Sequence, residues 1–252
     1  MTTTATAFTP IEHETLGDHA YGRIRQAILS GHFEPGGKLT IRGLSAQLAI
    51  SPTPIRESLR RLVAERAVEI VPNRYIRIPV MNSSELRELR DIRTALEGLA
   101  TERAVANVDA ETLAHLHKLD AAIRKLRDQA NRRGTSRGPV QAVVDLIHQF
   151  HFTLYRAADM PSLVRLIEGL WLRTAPYVSL LFPGYSRTER GNLRAMILTA
   201  VARRDTASAR RLMEADIGGA LDYLIGLAVE SEAQQARRAR KEKHPNLAGR
   251  SI

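Results

Sequence analysis

Apolar positions recur at helical spacing along nearly the whole chain, and only one short stretch alternates. Tyr21, Ile24 and Ala27/Ile28 line one face of a first helix from Ala20, and Gly31 is a suitable stop. Phe33-Glu34-Pro35-Gly36-Gly37 reads as a turn. Thr40 can cap a short helix carrying Leu44 and Leu48, because its hydroxyl can accept from the free first-turn amides. After Ser51-Pro52-Thr53-Pro54, the residues Ile55, Leu59 and Leu62 share one buried face, with Ser51 or Thr53 as N-cap and Pro54 tolerated in the first turn. Val68–Val71 and Tyr75–Ile78 alternate as strands around a hairpin tip at Pro72-Asn73-Arg74. Three helices followed by a two-stranded ribbon describe a winged helix-turn-helix.

From Ser84 onward the pattern is helical throughout. One stripe is Leu86, Leu89, Ile92, Leu96 and Ala100, capped by Ser83 or Ser84. Leu113, Leu116, Leu119, Ile123 and Leu126 form a second, which ends at Asn131–Gly134. Val143, Ile147, Phe150 and Leu154 form a third, and Leu163, Leu166, Leu170 and Leu181 a fourth that breaks near Pro183-Gly184. Met196–Val201 and Leu212–Ile225 supply two more. Short connections between such helices imply an antiparallel bundle. The expected fold is mainly α: a winged helix-turn-helix followed by an all-α antiparallel bundle. The divisions are a flexible arm over 1–17, the winged helix-turn-helix module over 18–80, a linker over 81–84, the helical domain over 85–231 and a basic, disordered tail over 232–252.

Composition sharpens this picture. The 252 residues carry 44% hydrophobic residues, enough for a substantial core in one large or two modest domains. Positive charge is unevenly placed: ten Lys/Arg against five Asp/Glu over 18–80, and six against two over 232–252, leave the long middle nearly balanced. Clustered positive charge is the footprint of a polyanion partner, although solvated arginine faces produce the same count. The absence of Cys rules out disulfides and thiolate chemistry. No apolar run approaches the roughly 18 residues of a membrane span, and the N-terminus does not read as a secretory signal. A cytoplasmic protein without a membrane partner is expected.

The geometry of a recognition helix assigns roles in the first module. Such a helix enters the major groove N-terminus first, so Ser51 and Thr53 can approach phosphates and base edges. Arg56, one turn in, can grip a guanine with its two-pronged guanidinium, or pair internally with Glu57 or Glu65. Arg60 and Arg61 suit phosphates. Arg42 at the start of the preceding helix, with Asn73 and Arg74 at the hairpin tip, can reach the backbone or minor groove. Tyr21…Ile24-Arg25…Ile28…Gly31…Pro35-Gly36…Leu39, then Leu44…Leu48…Ser51-Pro52-Thr53-Pro54-Ile55-Arg56-Glu57…Leu59…Leu62, closely resembles the DNA-binding domain of GntR-family bacterial transcription regulators. The sequence departs from that pattern where Pro52 replaces an arginine, and where Arg66 and Tyr75 replace glycines.

Arg93-x-x-Leu96-Glu97, Phe150-His151-x-x-Leu154-Tyr155 and Leu198-x-Ala200…Arg204-Asp205…Ala209…Met213 resemble the effector domain of the FadR branch of that family. The resemblance implies a helical ligand cavity, a homodimer and, in many members, a divalent metal. The metal's ligand positions fall here on Ile147, His151, Arg194 and Asp216. Isoleucine has no donor and arginine is a permanent cation, so no metal or other cofactor is expected. Two readings of the altered site remain open. Arg194, helped by His151 and Arg93, can hold a carboxylate-type effector directly, or Arg194 and Asp216 can form an internal ion pair. His148, three residues before His151, is either a second metal candidate or a packed histidine; Trp171 and Tyr177 are core or pocket wall.

Three function classes follow. A ligand-responsive regulator, taken as a repressor, would bind a palindromic site on double-stranded DNA as a homodimer. An effector-independent DNA-binding regulator would keep the altered site only as structure. An enzyme is disfavoured, because no nucleophile elbow, phosphate loop or complete metal set is present.

Overall fold

The computed structural model describes residues 15–71, 75–133, 137–181 and 192–243, with side chains left aside over 130–139 and 240–243. Helix α1 spans Leu16–Leu29 and starts earlier than expected, inside the segment read as an arm. The cause is a capping box: Asp18 N donates to Thr15 Oγ1, and Thr15 N donates to Asp18 Oδ2, each at 3.1 Å. The Thr15 hydroxyl, which donates to Asp18 Oδ2 at 2.8 Å, then Arg61 and the Thr15 amide, hold the Asp18 carboxyl below its ordinary value. Strand β1 (Lys38–Leu39) leads to α2 (Ile41–Leu48), where Thr40 Oγ1 accepts from Gly43 N at 3.0 Å as its composition implied. Helix α3 covers Pro52–Ala64, followed by β2 (Glu69–Val71) and β3 (Tyr75–Arg77). The sheet has three antiparallel strands in the order β1-β3-β2, one more than the pattern showed. At two residues, β1 is too short to display an alternation.

Arg66, just beyond α3, adopts φ +57°, in the left-handed region where a glycine sits without strain. Its side chain is therefore held there against backbone preference.

The helical domain contains α4 (Ser83–Asn107), α5 (Ala110–Arg133), α6 (Arg137–Arg156), α7 (Pro161–Val178), α8 (Leu193–Ala202) and α9 (Thr206–Lys243). Helix α4 is capped by Asn82, with Glu85 reaching back to its amide, and so begins within the expected linker. A 3₁₀ turn at Ser179–Leu181 follows α7, and Pro183-Gly184 lies outside the described residues. The expected boundary at 231 and the expected disorder over 232–243 are corrected: α9 continues to Lys243, and the rest of the tail, 244–252, lies outside the described residues. From Leu227 to Lys243 the chain has no Gly or Pro and is rich in Ala, Gln, Glu, Arg and Lys, all strong helix formers. Past the old boundary, Glu232 accepts from Ser83 N at 2.6 Å and from the Ser83 hydroxyl at 3.0 Å. A carboxylate there caps free amides at the positive end of the α4 dipole.

Helices α4 and α9 make the most extensive pairing, and one continuous apolar core runs through both modules. Helix α1 rests on α7, where Arg25 meets Glu168 at 3.0 Å.

Candidate functional site

The DNA-binding module presents two faces of α3. Ile55, Leu59 and Leu62 are fully buried against α1, while Thr53, Arg56 and Arg60 recur three and four residues apart on the exposed side. Ser51 occupies the N-cap position but makes no capping bond, which leaves its exposed hydroxyl uncommitted. Arg42 is exposed on α2. Neither Arg56 nor Arg60 forms an ion pair among the described residues. Glu65, one partner open to Arg56, instead accepts from Tyr21 Oη at 2.6 Å. Burial and that carboxylate push the Tyr21 hydroxyl up to about 12.

Arg61 departs from expectation. It pairs with Asp18 at 2.6 Å and lies 3.9 Å over the Tyr21 ring, so it fastens α3 to α1 rather than offering a free charge. Asn73 and Arg74 lie outside the described residues.

In the helical domain, Arg93, Glu97, His151, Arg194 and Asp216 are all buried. They sort into two clusters. Arg93 Nε meets Glu97 Oε1 at 2.6 Å, and its Nη1 donates to Thr174 Oγ1 at 2.7 Å. Glu97 Oε2 accepts from Tyr155 Oη at 2.5 Å and from Trp171 Nε1 at 2.9 Å. The Arg93 guanidinium also lies 4.5 Å from the Trp171 ring centre. Burial, then Glu97, lifts the Tyr155 hydroxyl well above its ordinary value. The expectation that Arg93 assists Arg194 is corrected: its Nε and Nη2 are taken up by Glu97 on the same helix, and its Nη1 ties α4 to α7 through Thr174.

In the second cluster, His151 Nδ1 lies 2.8 Å from the Ile147 carbonyl, which can only accept, so Nδ1 carries a hydrogen. His151 Nε2 lies 3.2 Å from Asp216 Oδ2. Burial raises the Asp216 carboxyl, but the His151 hydrogen bond and the Arg194 charge prevail and hold it below its ordinary value. The direct Arg194–Asp216 pair is replaced by another arrangement. The carboxylate facing Arg194 Nε is Asp120 Oδ1, at 3.5 Å, and Asp120 also meets Arg124 at 3.2 Å. Arg194 Nε is buried and makes no hydrogen bond. Half-buried Arg127 adds a second positive charge, its guanidinium pulled down by burial and by Arg194.

Asp120 escaped the sequence reading, yet a signal was present: an aspartate set among Leu116, Leu119 and Ile123 on one buried stripe of α5. A charge in such a stripe needs a partner from elsewhere.

The donor set does not suit a divalent cation. Only His151 and Asp216 converge, Ile147 contributes a carbonyl already bonded to His151, and Arg194 places a fixed positive charge beside them. Among the described residues no group of three His, Asp or Glu is disposed to hold a metal ion. His148 stacks on Phe152 at 4.3 Å and meets the Trp171 edge at 5.7 Å. Burial, then His151, pushes its imidazole down to about 4. It is a neutral packing ring.

Trp171 lies in the core, whereas Tyr177 has a more definite task. Its hydroxyl accepts from Met81 N at 2.6 Å and donates to the Pro79 carbonyl at 3.0 Å. The linker between the modules is thereby clamped to α7, one turn beyond Thr174 and its bond to Arg93. Burial pushes the Tyr177 hydroxyl up to about 12, so it is a neutral donor at any physiological pH. No helix among the described residues is long and apolar enough to cross a membrane.

The chain matches two family models: "Bacterial regulatory proteins, gntR family" over residues 16–78 and "FCD domain" over residues 88–219. The HTH-type transcriptional regulator McbR of Escherichia coli K12 is 28% identical over 179 residues, covering 71% of this chain and 77% of McbR. The HTH-type transcriptional repressor GlaR of the same organism is 29% identical over 211 residues, covering 77% of this chain and 88% of GlaR. The solved structure of E. coli McbR/YncC has a TM-score of 0.71 at 26% identity, covering 87% of this chain and 100% of that one. A GntR regulator from Rhodococcus sp. RHA1, at a TM-score of 0.66 and 21% identity over 83% of this chain and 97% of its own, shares the fold. The exposed recognition-helix stripe, the buried polar clusters and these matches agree: the chain belongs to the GntR family of bacterial regulatory proteins, as a DNA-binding transcription regulator whose helical part is an FCD effector domain.

Proposed function

We propose that this regulator is a cytoplasmic homodimeric repressor that binds a palindromic operator and senses a small carboxylate in its helical domain without a metal. The observation that carries the reading is Arg194, a buried guanidinium whose Nε donates to nothing and whose facing carboxylate stands at 3.5 Å. A guanidinium fork in low dielectric binds a carboxylate through paired, charge-assisted hydrogen bonds. An effector carboxylate would take Arg194 from Asp120, with the His151–Asp216 pair alongside to receive polar groups of the effector.

The signal has a physical route to DNA. His151 packs on Trp171 at 5.2 Å between ring centres, and Trp171 and Thr174 belong to the Arg93–Glu97 network. Helix α7 then delivers Tyr177 to the linker. A shift of α7 on ligand binding would move the linker and change the spacing of the two recognition helices on the operator.

A thermal-shift panel of small carboxylates and phosphates, with and without divalent metal, tests the site. We expect a metal-independent stabilisation of the wild type that is lost in Arg194→Ala. Stabilisation that requires added metal, or survives in Arg194→Ala, would refute the direct clamp. The Asp120 contact supports a second reading, in which Arg194 only completes an internal pair and the regulator has no effector. Its signature is an operator affinity unmoved by any member of the panel.

Operator binding should also be strongly salt-dependent. With six or more phosphate contacts, affinity falls on the order of 10³-fold or more between 50 and 200 mM salt. A flat response in a mobility-shift titration would contradict DNA binding through this basic module.

A further inference from the structure

The seam between the two modules carries a cleft that the effector site does not explain. It has a volume of about 470 Å³ and is walled on one side by Ala64–Arg66, at the end of α3, and on the other by α4 and α7. Its floor is apolar: Ile92 and Leu96 come from α4, and Leu166 and Leu170 from α7. Ile92 is 38% exposed and Leu166 62%, so two large aliphatic side chains of the lining stay open to solvent. Three arginines stand over that floor: Arg66, Arg165 and Arg173. Arg66 and Arg173 also line the adjoining cleft below β2, so both reach the line where the modules meet.

The nearby acids direct their hydrogen bonds to other partners. Glu65 accepts from Tyr21, Glu69 is paired with Arg77 at 2.6 Å, and Glu85 closes the capping box of α4. Neither Arg66 nor Arg173 forms an ion pair among the described residues. Arg66 is moreover kept in a left-handed backbone conformation that disfavours any side chain. Uncommitted guanidinium groups beside a concave apolar floor match one ligand chemistry: an anionic head on an apolar body. DNA phosphate is a poor match, because Arg66 follows the C-terminal end of a 13-residue helix whose N-terminus meets the groove, a separation of about 20 Å.

We infer that this cleft is a second ligand site, distinct from Arg194, that binds a small amphiphilic organic anion and so ties the DNA-binding module to the helical domain. The head lies against Arg66 and Arg173, and the apolar body covers Leu166 and Ile92. Because the ligand touches both modules, its binding reports on their relative placement.

Isothermal titration of the full chain with 4-phenylbutyrate, and with 4-phenyl-1-butanol as its uncharged counterpart, tests the assignment. Saturable binding of the acid is expected, at least tenfold tighter than the alcohol. It should weaken at least tenfold in the Arg66→Ala/Arg173→Ala variant, and in Gly169→Trp. Gly169 lines the cleft, and a Cβ built there meets nothing within 4 Å, so a side chain can start at this position without a clash. Arg194→Ala should leave this binding unchanged, which separates the outcome from that of the effector site. Equal binding of acid and alcohol, no saturable binding, or dependence on Arg194 would overturn the inference. So would a fall in sedimentation coefficient in Gly169→Trp, which would show that the cleft seats a second copy of the chain.

Discussion

Replacing Glu97 by alanine is expected to destabilise the protein by about 3–5 kcal/mol, because it leaves the buried Arg93 charge without its counterion. The side chains of Arg93 and Glu97 are only 5% and 0% exposed, so water cannot take over the lost partner. The same change strands the hydroxyl of Tyr155 and the indole N–H of Trp171, both of which donate to Glu97. Each buried donor left unpaired adds its own desolvation cost of about 1–3 kcal/mol where no rearrangement relieves it. For a cooperative unit of this size the combined loss lowers the melting temperature on the order of 10 °C or more. Differential scanning calorimetry checks this directly. The double variant Arg93→Met/Glu97→Leu should be less damaged than Glu97→Ala, since removing both charges leaves none unpaired. A single variant as stable as wild type would mean that the cluster is open to water.

The second large effect concerns the recognition helix. Arg56→Ala should weaken specific operator binding by about 1–3 kcal/mol, roughly 5- to 150-fold, while leaving nonspecific DNA affinity nearly unchanged. Arg56 is exposed, free of ion pairs among the described residues, and opposite the buried face of α3. Arg60→Ala, one turn further on, should weaken specific and nonspecific binding alike and reduce the salt slope by about one. Arg61→Ala is expected to act mainly on stability, because Arg61 is tied to Asp18 and Tyr21. Fluorescence anisotropy against an operator selected from random DNA, beside a scrambled duplex, separates the three. If Arg56→Ala lost both affinities equally, Arg56 would be a phosphate contact rather than a base contact.

Much of this architecture is legible in the chain because local periodicity and caps dominate it. Stripes such as Ile55-Leu59-Leu62 and Leu116-Leu119-Ile123 are helical at 3.6 residues per turn, and the same residues are buried. Thr40 caps α2 as its side chain predicts, whereas α1 and α4 start earlier because Thr15 and Asn82 form capping boxes with Asp18 and Glu85. Strand β1 is stabilised by its pairing with β3 and leaves no pattern of its own. The end of α9 was hidden for the opposite reason. A run of charged residues fits a solvated helix and a disordered tail equally well until the Glu232–Ser83 contact is known.

The candidate site was legible residue by residue but not in its pairings. Arg93, His151, Arg194 and Asp216 all proved buried, yet which acid meets which base depends on the tertiary arrangement. Asp120 comes from α5 to face Arg194, and Glu97, one turn from Arg93 on the same helix, takes Arg93 out of contention. Tyr177 could be recognised only as apolar wall, because its hydroxyl bonds to backbone atoms of Pro79 and Met81, far away in sequence.

The most direct test of the account joins its two halves. Operator affinity should be measured for wild type and Tyr177→Phe, with and without a saturating carboxylate taken from the thermal-shift panel. The account predicts a ligand-induced shift of about 5- to 150-fold in the wild type, the range of a coupling free energy of roughly 1–3 kcal/mol. In Tyr177→Phe, where the linker loses its clamp to α7, the ligand should still bind but shift operator affinity far less. A carboxylate that binds through Arg194 and leaves wild-type operator affinity unchanged would contradict the account, and the helical domain would then not govern DNA binding.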